Sequence, residues 1–254
     1  MRQGLVAPAN LIDIKKVKEL SYIDFNPKKG LRIGATTAHR EIEKSKTVKR
    51  HYPILAEMEE NIASNQTRNY GTIGGNLCHG DPTGDPGPVF IALNASVKIA
   101  DKKKERTILL DDFFVDYFET SLQEGELLLE VQIPVIPPST VVVYEKFNII
   151  KNDQGIVSVA VSVTLDKDGS TCKDARIVLG GAASKPLRIK EAEQLLIGKK
   201  LTDSLLEQAG KKAAELSDPV SDIHASETYR RYLVDVLTKR MVKKAWEQAK
   251  LNMN

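Results

Sequence analysis

The segment NYGTIGGNLCHGDPTGDPGPVF, residues 69–90, constrains the fold more than any other part of the chain, because it is dense in glycine and proline. Such a stretch indicates a place where another group approaches the main chain closely. The adjacent Gly74 and Gly75 lack Cβ atoms and can expose successive backbone N–H groups. Residues 71–76 are therefore expected to form a loop that cradles an anion such as a pyrophosphate.

Polar side chains around this glycine pair support a ligand-binding interpretation. Thr72 adds a hydroxyl donor and Asn76 adds an amide. Asp81 and Asp85 follow, and a carboxylate is a good acceptor for the hydroxyl groups of a sugar or a ribitol chain. The segment is neither a P-loop, since no GK[ST] follows, nor a GxGxxG fingerprint. The alternative is a tight turn whose aspartates face solvent, and this is what a Gly-Gly pair alone would favour.

Composition argues against several other classes of function. The chain has 254 residues with 37 basic and 34 acidic side chains, so its net charge of +3 gives no general reason to expect nucleic acid or an anionic membrane as a partner. No apolar run approaches the ~20 residues of a membrane span, and the first residues do not read as a secretory signal, so the cytoplasm is the expected compartment. Two cysteines are too few for an iron–sulfur cluster, which needs about four thiolates. No metal site is expected, and redox chemistry would use an organic cofactor or a partner's metals.

Local patterns in the first half predict strands and helices in alternation. ANLIDI, residues 9–14, indicates a strand. GLRIGATTAH, residues 30–39, indicates a strand that leads into a helix, with Thr37 as N-cap and Glu41 in the first turn. Pro53 is expected to begin a further helix.

A proline-rich segment, residues 133–140, divides the chain into proposed domains 1–136 and 137–254. Residues 157–165 alternate between apolar and smaller side chains, which predicts a strand with one buried face. The last helix is expected to bury a stripe that includes Tyr229 and Tyr232. The second half is thus α+β, a small antiparallel sheet packed by helices.

The segment NIASNQTRNYGTIGGNLCHGDPTGDPGPVFIALNA resembles the second flavin-binding segment of the FAD-binding (medium) subunits of molybdenum hydroxylases, such as carbon monoxide dehydrogenase and xanthine dehydrogenase. The resemblance covers nearly the whole chain, since PANLIDI, LRIGATTAHREIEKS, ELLLEVQIP, YEKF and ASETYRRYLVDVLTKR occur in the expected order. It implies an α+β fold: a PCMH-type FAD-binding domain, N-terminally truncated, followed by the small antiparallel sheet and helical bundle of the medium subunit.

The resemblance also implies which residues contact the cofactor. Those implied to lie beside the FAD or to hold its pyrophosphate are Ala63, Thr72, Ile73, Gly74, Gly75 and Asn76. Those implied to contact the flavin side or the rest of the cofactor are His79, Asp85, Leu129 and Lys146. For three of them a structural role stays open: a loop histidine for His79, strand core for Leu129 and a solvated lysine for Lys146.

By this resemblance the chain is a subunit of an oxidoreductase. It would relay electrons through FAD from iron–sulfur clusters on a small partner subunit to an acceptor, while a large molybdopterin subunit oxidises the substrate. Two alternatives remain: a flavin-dependent enzyme that works alone, and a non-catalytic assembly subunit that retains the fold and binds FAD weakly or not at all.

In the family, a subdomain with an AGGTD-like glycine turn precedes the PANLIDI segment, whereas here only a few residues precede it. A truncated form, a missing piece on another chain and loss of FAD binding are the three explanations. We expect the 254-residue chain alone to bind FAD weakly or not at all, and we expect Leu11, Ile12 and Ile14 to lie at an under-covered edge.

Overall fold

Two antiparallel sheets covered by helices make up the computed structural model, which describes residues 8–253. The first sheet has the strand order β1-β2-β7-β3-β4, and a separate small hairpin pairs β5 with β6. These strands are β1 Ile23–Asn26, β2 Gly30–Gly34, β3 Ser96–Ala100, β4 Glu105–Leu109, β5 Phe114–Asp116, β6 Glu119–Thr120 and β7 Leu127–Ile133. Short 3-10 turns, Lys18–Leu20 and Leu110–Asp112, precede β1 and β5.

Six short helices accompany the first sheet. They are α1 His39–Lys44, α2 Lys46–His51, α3 Pro53–Glu60, α4 Asn65–Tyr70, α5 Ile73–His79 and α6 Pro86–Ala92. As predicted, Pro53 begins a helix, where its missing N–H has no intrahelical partner to lose. The apolar side of α3 joins buried residues of the sheet in one hydrophobic cluster.

The second sheet has the order β11-β10-β9-β8 and packs against the long C-terminal helix. Its strands and helices are β8 Thr140–Phe147, β9 Val157–Leu165, β10 Cys172–Gly180, β11 Leu187–Arg188, α7 Lys190–Leu196, α8 Asp203–Leu216 and α9 Glu227–Leu251. The Asp168–Gly169 turn joins β9 to β10, and Gly169 adopts a φ of 66° that favours glycine. The α+β prediction is confirmed.

The central strand β9 is buried on both faces, so the prediction of a single buried face is wrong. One face packs against α9, and α6 of the first half packs against β9 and β10 on the other. At this contact the small side chains of Ser158 and Ala160 leave room for α6; a Cβ on Gly180 would lie 2.9 Å from Pro88. The alternation therefore reflects side-chain size rather than exposure.

The N-terminal segment does not form the strand predicted for residues 9–14. Leu11 and Ile12 are 74% and 83% exposed and Ile14 is half-buried, which agrees with the expectation of an under-covered edge. A strand requires a neighbouring backbone to pair with, and the edge strand of the first sheet, β1, pairs with β2 alone among the described residues.

Helix α1 begins one residue later than expected, because the Thr37 side chain bonds to the backbone of Tyr22, just before β1, instead of capping the helix. The Thr37 hydroxyl donates to the Tyr22 carbonyl and accepts from the Tyr22 N–H. Ala38 is the N-cap residue, and its N–H donates to the Glu41 carboxylate at 2.8 Å. The prediction of Thr37 as N-cap is thus wrong, whereas Glu41 does stabilise the first turn.

Helix α9 buries a narrower stripe than the sequence predicted. Leu233, Leu237 and Met241 face the core, but Tyr229 and Tyr232 are 42% and 61% exposed. The two tyrosines stack on each other, and Tyr229 also contacts Phe147.

We propose that the chain divides into domains 1–136 and 137–254. Strand β7 of the first sheet ends at Ile133, and β8 of the second begins at Thr140. The two sheets also belong to separate hydrophobic clusters, although Ala160 and Val178 join the cluster of the first half. These features support the division.

Candidate functional site

The Gly74–Gly75 pair lies in the first turn of α5 rather than in a loop. Thr72 is the N-cap residue of this helix, and its hydroxyl accepts the Gly75 N–H at 3.1 Å. The prediction of a loop over residues 71–76 is therefore wrong from Ile73 onward. A Ser or Thr N-cap before a helix gives the local reason.

Five of the six N–H groups expected to face a ligand, those of residues 71 and 73–76, are bound within the protein. The Ile73 N–H donates to the Thr37 carbonyl at 3.0 Å, and the Gly74 N–H donates to the Ala35 carbonyl at 2.8 Å. These carbonyls belong to the segment that follows β2. The start of α5 is thus tied to the first sheet, which fixes the position of its first turn.

The two glycines serve different purposes. A Cβ on Gly74 would lie 2.6 Å from the Cβ of Ala35 and 2.7 Å from its carbonyl oxygen, so only glycine allows the close packing of α5 on this segment. A Cβ on Gly75 would approach only the Thr72 hydroxyl within 4 Å. Gly75 is exposed and borders a pocket.

That pocket, of about 390 Å³, lies beside the start of α5. Its lining residues are Lys15, His39, Ile62, Thr67, Tyr70, Gly71, Thr72, Gly75, Asn76 and His79. The lining contains hydrogen-bond donors and cationic or ionisable nitrogens but no carboxylate, which suits an anionic ligand. We call it the α5 pocket.

Four of the ten residues implied by the sequence line the α5 pocket: Thr72, Gly75, Asn76 and His79. Lys15 stands on the opposite part of the lining, where its Nζ donates to the Tyr70 carbonyl and lies 5.0 Å from the centre of the Tyr70 ring. Sequence reasoning did not identify Lys15, because nothing in its neighbourhood links it to α5.

His39 is a lining residue that the sequence did not single out. The residue is 2% exposed, and its Nδ1 lies 2.7 Å from Oε2 of Glu59, which is fully buried. A sequence signal for this pair existed, since Glu59 interrupts the apolar stripe of α3 between Leu55 and Ile62. A carboxylate at such a position requires a buried partner.

A second cluster of buried polar groups joins the two halves of the chain. Asp85, at the start of α6, accepts hydrogen bonds from Lys146 at 2.8 Å and from the Tyr144 hydroxyl at 2.5 Å, both on β8. Lys146 also donates to the Asn61 carbonyl at the end of α3. The side chain of Lys146 is 6% exposed, so it is not a solvated lysine.

Burial raises the pKa values of the acidic groups in this cluster. It raises the pKa of Asp85, and the charge and hydrogen bond of Lys146 together with the bond from Tyr144 oppose that rise. Burial, reinforced by the charge of Asp85, raises the pKa of Tyr144 well above its ordinary value, so Tyr144 remains a neutral donor. Lys146 and Tyr144 also line a smaller pocket with Asn61 and Asn148.

Ala63 and Leu129 are placed by backbone features rather than by side-chain contacts. Ala63 has a φ of 39°, a conformation that non-glycine residues rarely adopt. Its carbonyl and that of Ile62 accept hydrogen bonds from Arg68. Leu129 lies in a register shift between β3 and β7, and its carbonyl accepts the Ala35 N–H at 2.8 Å. Neither residue lines the α5 pocket.

Arg68 holds the turn at Ala63 because a buried carboxylate fixes its guanidinium. Its Nε donates to Glu43 at 2.9 Å, and both side chains are nearly buried. Burial raises the pKa of Glu43, but hydrogen bonds from Arg40, Lys44 and Arg68 outweigh this effect and bring the pKa to about 2. Glu43 therefore stays ionised and Arg68 stays paired.

The chain also contains a larger cleft, of about 460 Å³, between α3, the proline-rich segment and the end of α9. Tyr144 is the residue it shares with the buried cluster. Its lining includes the Glu57 carboxylate, whereas no carboxylate lines the α5 pocket.

Within residues 8–253, no group of three or more His, Cys, Asp or Glu side chains is arranged to hold a metal ion. Across the same residues, no helix has the length and apolarity needed to cross a membrane.

Family models match almost the whole chain. Residues 1–136 match the FAD binding domain in molybdopterin dehydrogenase, and residues 142–245 match the CO dehydrogenase flavoprotein C-terminal domain. The chain belongs to the FAD-binding family of molybdopterin dehydrogenases. The residues of the α5 pocket and Asp85 lie within the first matched region, and Lys146 lies within the second.

Individual relatives agree with the family. The chain is 35% identical to the 6-hydroxypseudooxynicotine dehydrogenase complex subunit alpha of Paenarthrobacter nicotinovorans, over 96% of this chain and 81% of the relative. It is 31% identical to the carbon monoxide dehydrogenase medium chain of Hydrogenophaga pseudoflava, over 97% and 85%. A solved structure of carbon monoxide dehydrogenase from that organism matches with a TM-score of 0.93 at 32% identity, over 97% of this chain and 85% of that chain.

These matches confirm several predictions made from the sequence. The fold class, the family, FAD as the family's cofactor and the assignment as an oxidoreductase subunit are confirmed. The relatives are named as subunits or medium chains of dehydrogenases, so they are parts of larger complexes. None of these names supports the alternative of a non-catalytic assembly subunit.

Proposed function

We propose that this chain binds FAD with the α5 pocket and the Asp85–Lys146 cluster, and relays electrons from iron–sulfur clusters on a partner subunit to an acceptor. The observation that carries the proposal is that hydroxyl, amide, imidazole and ammonium groups line the α5 pocket without any carboxylate, at the segment that resembles the family's flavin-binding motif. Bound FAD supplies the redox chemistry, and the protein supplies binding and orientation.

Two side-chain donors would hold the pyrophosphate. Thr72 offers a hydroxyl and Asn76 offers an amide, while Gly75 leaves room for the approach of a phosphate. His79 adds an exposed imidazole at the edge of the pocket. Charge-assisted hydrogen bonds to phosphate are worth about 1.5–3 kcal/mol each, so a few of them decide affinity.

Ile73 and Gly74 would act indirectly. Their N–H groups are bound to the segment after β2, so they hold the first turn of α5 in place rather than contact the ligand. The proposed roles of these two residues therefore change from contact to positioning.

Four residues would serve the flavin side of the cofactor. Lys146 and Asp85 are held together in a fixed arrangement by the hydrogen bonds of the buried cluster. The register shift at Leu129 lies close to the start of α5, since Ala35 bonds to both Leu129 and Gly74. Ala63 would contribute through its left-handed turn, which Arg68 holds. An ordinary strand-core role for Leu129 remains an alternative.

We further propose that the complex contains a large molybdopterin subunit and a small iron–sulfur subunit, by analogy with relatives that are named as medium chains and complex subunits. Its compartment would be the cytoplasm, and the free thiols of Cys78 and Cys172 fit a reducing environment.

The test is purification of the native complex by an affinity tag on this chain. We expect a visible flavin spectrum, release of FAD on denaturation and co-purification of a molybdopterin subunit and an iron–sulfur subunit. A complex without flavin would contradict the cofactor assignment. Isolated chain that oxidises an organic substrate without partners would contradict the relay role.

A further inference from the structure

We propose that His39, held by Glu59, is a pH-dependent phosphate-binding residue of the α5 pocket, donating from Nε2 to the pyrophosphate of the bound dinucleotide. This inference rests on the proposed function and deepens it. It concerns a residue pair outside the glycine segment and outside the ten residues implied by the sequence.

The geometry of His39 leaves one ring nitrogen for a ligand. Nδ1 lies 2.7 Å from the Glu59 carboxylate, and the His39 N–H donates to the Gly71 carbonyl at 3.1 Å. Nε2 makes no hydrogen bond among residues 8–253, and His39, which is 2% exposed, lines the pocket. Nε2 is not one of the fully buried polar atoms that lack a partner, so it reaches the pocket surface. A ring nitrogen that is open to the pocket beside Thr72 and Gly75 suits a ligand that accepts a hydrogen bond.

The pairing with Glu59 decides what Nε2 can do. If the pair holds its shared proton, the pair is neutral overall and Nε2 carries a hydrogen, whether the shared proton lies on Nδ1 or on the Glu59 carboxyl. If the pair loses that proton, the Nδ1 hydrogen is donated to the ionised carboxylate and Nε2 becomes an acceptor. The first state binds a phosphate oxygen and the second repels it.

Charged groups of both signs surround the His39–Glu59 pair. The charged and titratable groups in and around the pocket and the pair are Lys15, Glu43, Glu59, Arg68, His79, Asp85 and Lys146. Glu43 is paired with Arg68 and Asp85 with Lys146. Glu59 has His39 as its hydrogen-bond partner, and its second oxygen has none within residues 8–253.

Burial favours the protonated form of the Glu59 carboxyl. It raises the pKa of the carboxyl; the hydrogen bond and charge of His39 lower it, and the charges of Asp85 and Glu43 raise it. The pair thus retains a proton in a setting that disfavours a lone buried carboxylate.

The experiment is a titration of FAD into the native complex, purified through a tag on this chain and freed of flavin, between about pH 5.5 and 8.5. The phosphates of FAD are diesters that do not titrate in this range, so a pH dependence belongs to the protein. All measurements use a His79→Gln background, which removes the other imidazole of the pocket. The compared variants are His39→Gln, Glu59→Gln and the control His51→Gln, whose ring stacks on Phe25 away from the pocket.

We expect FAD affinity in the parent to fall at least about tenfold as pH rises, which corresponds to loss of one charge-assisted hydrogen bond. His39→Gln should bind weakly at low pH and lose the pH dependence. Glu59→Gln should move the midpoint to lower pH, because the anionic partner that retains the proton is gone. His51→Gln should behave as the parent.

Two results separate this inference from the proposed function. FAD binding that is identical in the parent, His39→Gln and Glu59→Gln at every pH would overturn the inference alone. Absence of FAD binding in the parent at every pH would overturn both. If His39→Gln does not fold, the ¹⁵N resonances of His39 in the parent replace it: FAD should stabilise the Nε2–H form, and unchanged resonances would overturn the inference.

Discussion

The two halves of the chain bury charged side chains in different numbers. In the described part of the first half, the charged or imidazole-bearing residues less than a tenth exposed include His39, Glu43, Glu59, Arg68, Asp85 and Glu130. In the described part of the second half, the charged side chains exposed to that extent include Glu193, Arg230 and Lys146, and Lys146 is paired with Asp85 of the first half. The second half instead relies on apolar packing between its sheet and α9, with Trp246 fully buried.

This difference indicates which half is shaped by a ligand. A buried charge is expensive unless it is paired, and replacing a pair by apolar groups is often neutral or stabilising. The first half nevertheless retains several such groups around the α5 pocket and the Asp85–Lys146 cluster. We infer that they are kept for binding and positioning, whereas the second half supplies a stable surface against which α6 and β8 place Asp85 and Lys146.

The largest effect on stability is expected in the second half. Trp246→Ala should destabilise the protein by about 3–5 kcal/mol, because it leaves a cavity in a packed core. The Trp246 Nε1 has no partner within residues 8–253, so Trp246→Phe loses no hydrogen bond and should cost less than about 2 kcal/mol. Urea unfolding followed by circular dichroism measures both, and FAD affinity of the folded variants should stay unchanged. A large loss of FAD affinity in Trp246→Phe would contradict the assignment of ligand binding to the first half.

Removing one member of the Asp85–Lys146 pair comes next. Lys146→Met or Asp85→Asn alone should cost about 3 kcal/mol, since each leaves a buried charge without its partner. The double variant should cost less than the sum of the two by about 1 kcal/mol or more. Additive losses in unfolding experiments would show that the two groups are not coupled.

The glycine pair gives a smaller and sharper contrast. Gly74→Ala should destabilise the fold by about 1–3 kcal/mol, because its Cβ would overlap Ala35. Gly75→Ala should change stability by less than about 1 kcal/mol, since alanine favours the helix and meets only the Thr72 hydroxyl. Equal melting temperatures for the two variants would contradict the tight packing at Gly74.

The smallest effect concerns acid stability. The pKa of Glu43 in the folded protein is about 2, below its ordinary value of 4.5. The unfolded chain therefore binds more protons between these values, and stability is lost as pH falls from 4.5 toward 2. Glu43→Gln should flatten the pH dependence of the unfolding midpoint in this range. A profile as steep as that of the parent would assign the effect to other carboxyl groups.

Local signals in the sequence were sufficient for much of the fold. Pro53 begins α3, and Thr202 caps α8 by accepting the Leu205 N–H at 3.2 Å, as the N-cap pattern predicts. The alternation over residues 157–165 identified β9 as a strand. It could not identify the second buried face, because α6, which covers it, is more than sixty residues away in the chain.

The candidate site was only partly predictable for the same reason. The composition around Gly74 and Gly75 located the α5 pocket, and Thr72, Asn76 and His79 do line it. The use of two N–H groups by the segment after β2 depends on tertiary contacts that no local pattern encodes. The His39–Glu59 pair likewise joins two helices twenty positions apart, and only the carboxylate within the apolar stripe of α3 pointed to it.

The most direct test of the account is FAD binding by Gly75→Val, compared with the parent and with Gly74→Ala, each as the native complex freed of flavin. The valine side chain would enter the α5 pocket beside Thr72 and block the approach of a phosphate. We predict that Gly75→Val lowers FAD affinity by at least about tenfold, the loss of one or more charge-assisted hydrogen bonds, while its stability stays near that of the parent. Gly74→Ala should show the reverse, a lower stability with retained affinity when folded. Unchanged FAD affinity in Gly75→Val would contradict the account and place the pyrophosphate elsewhere.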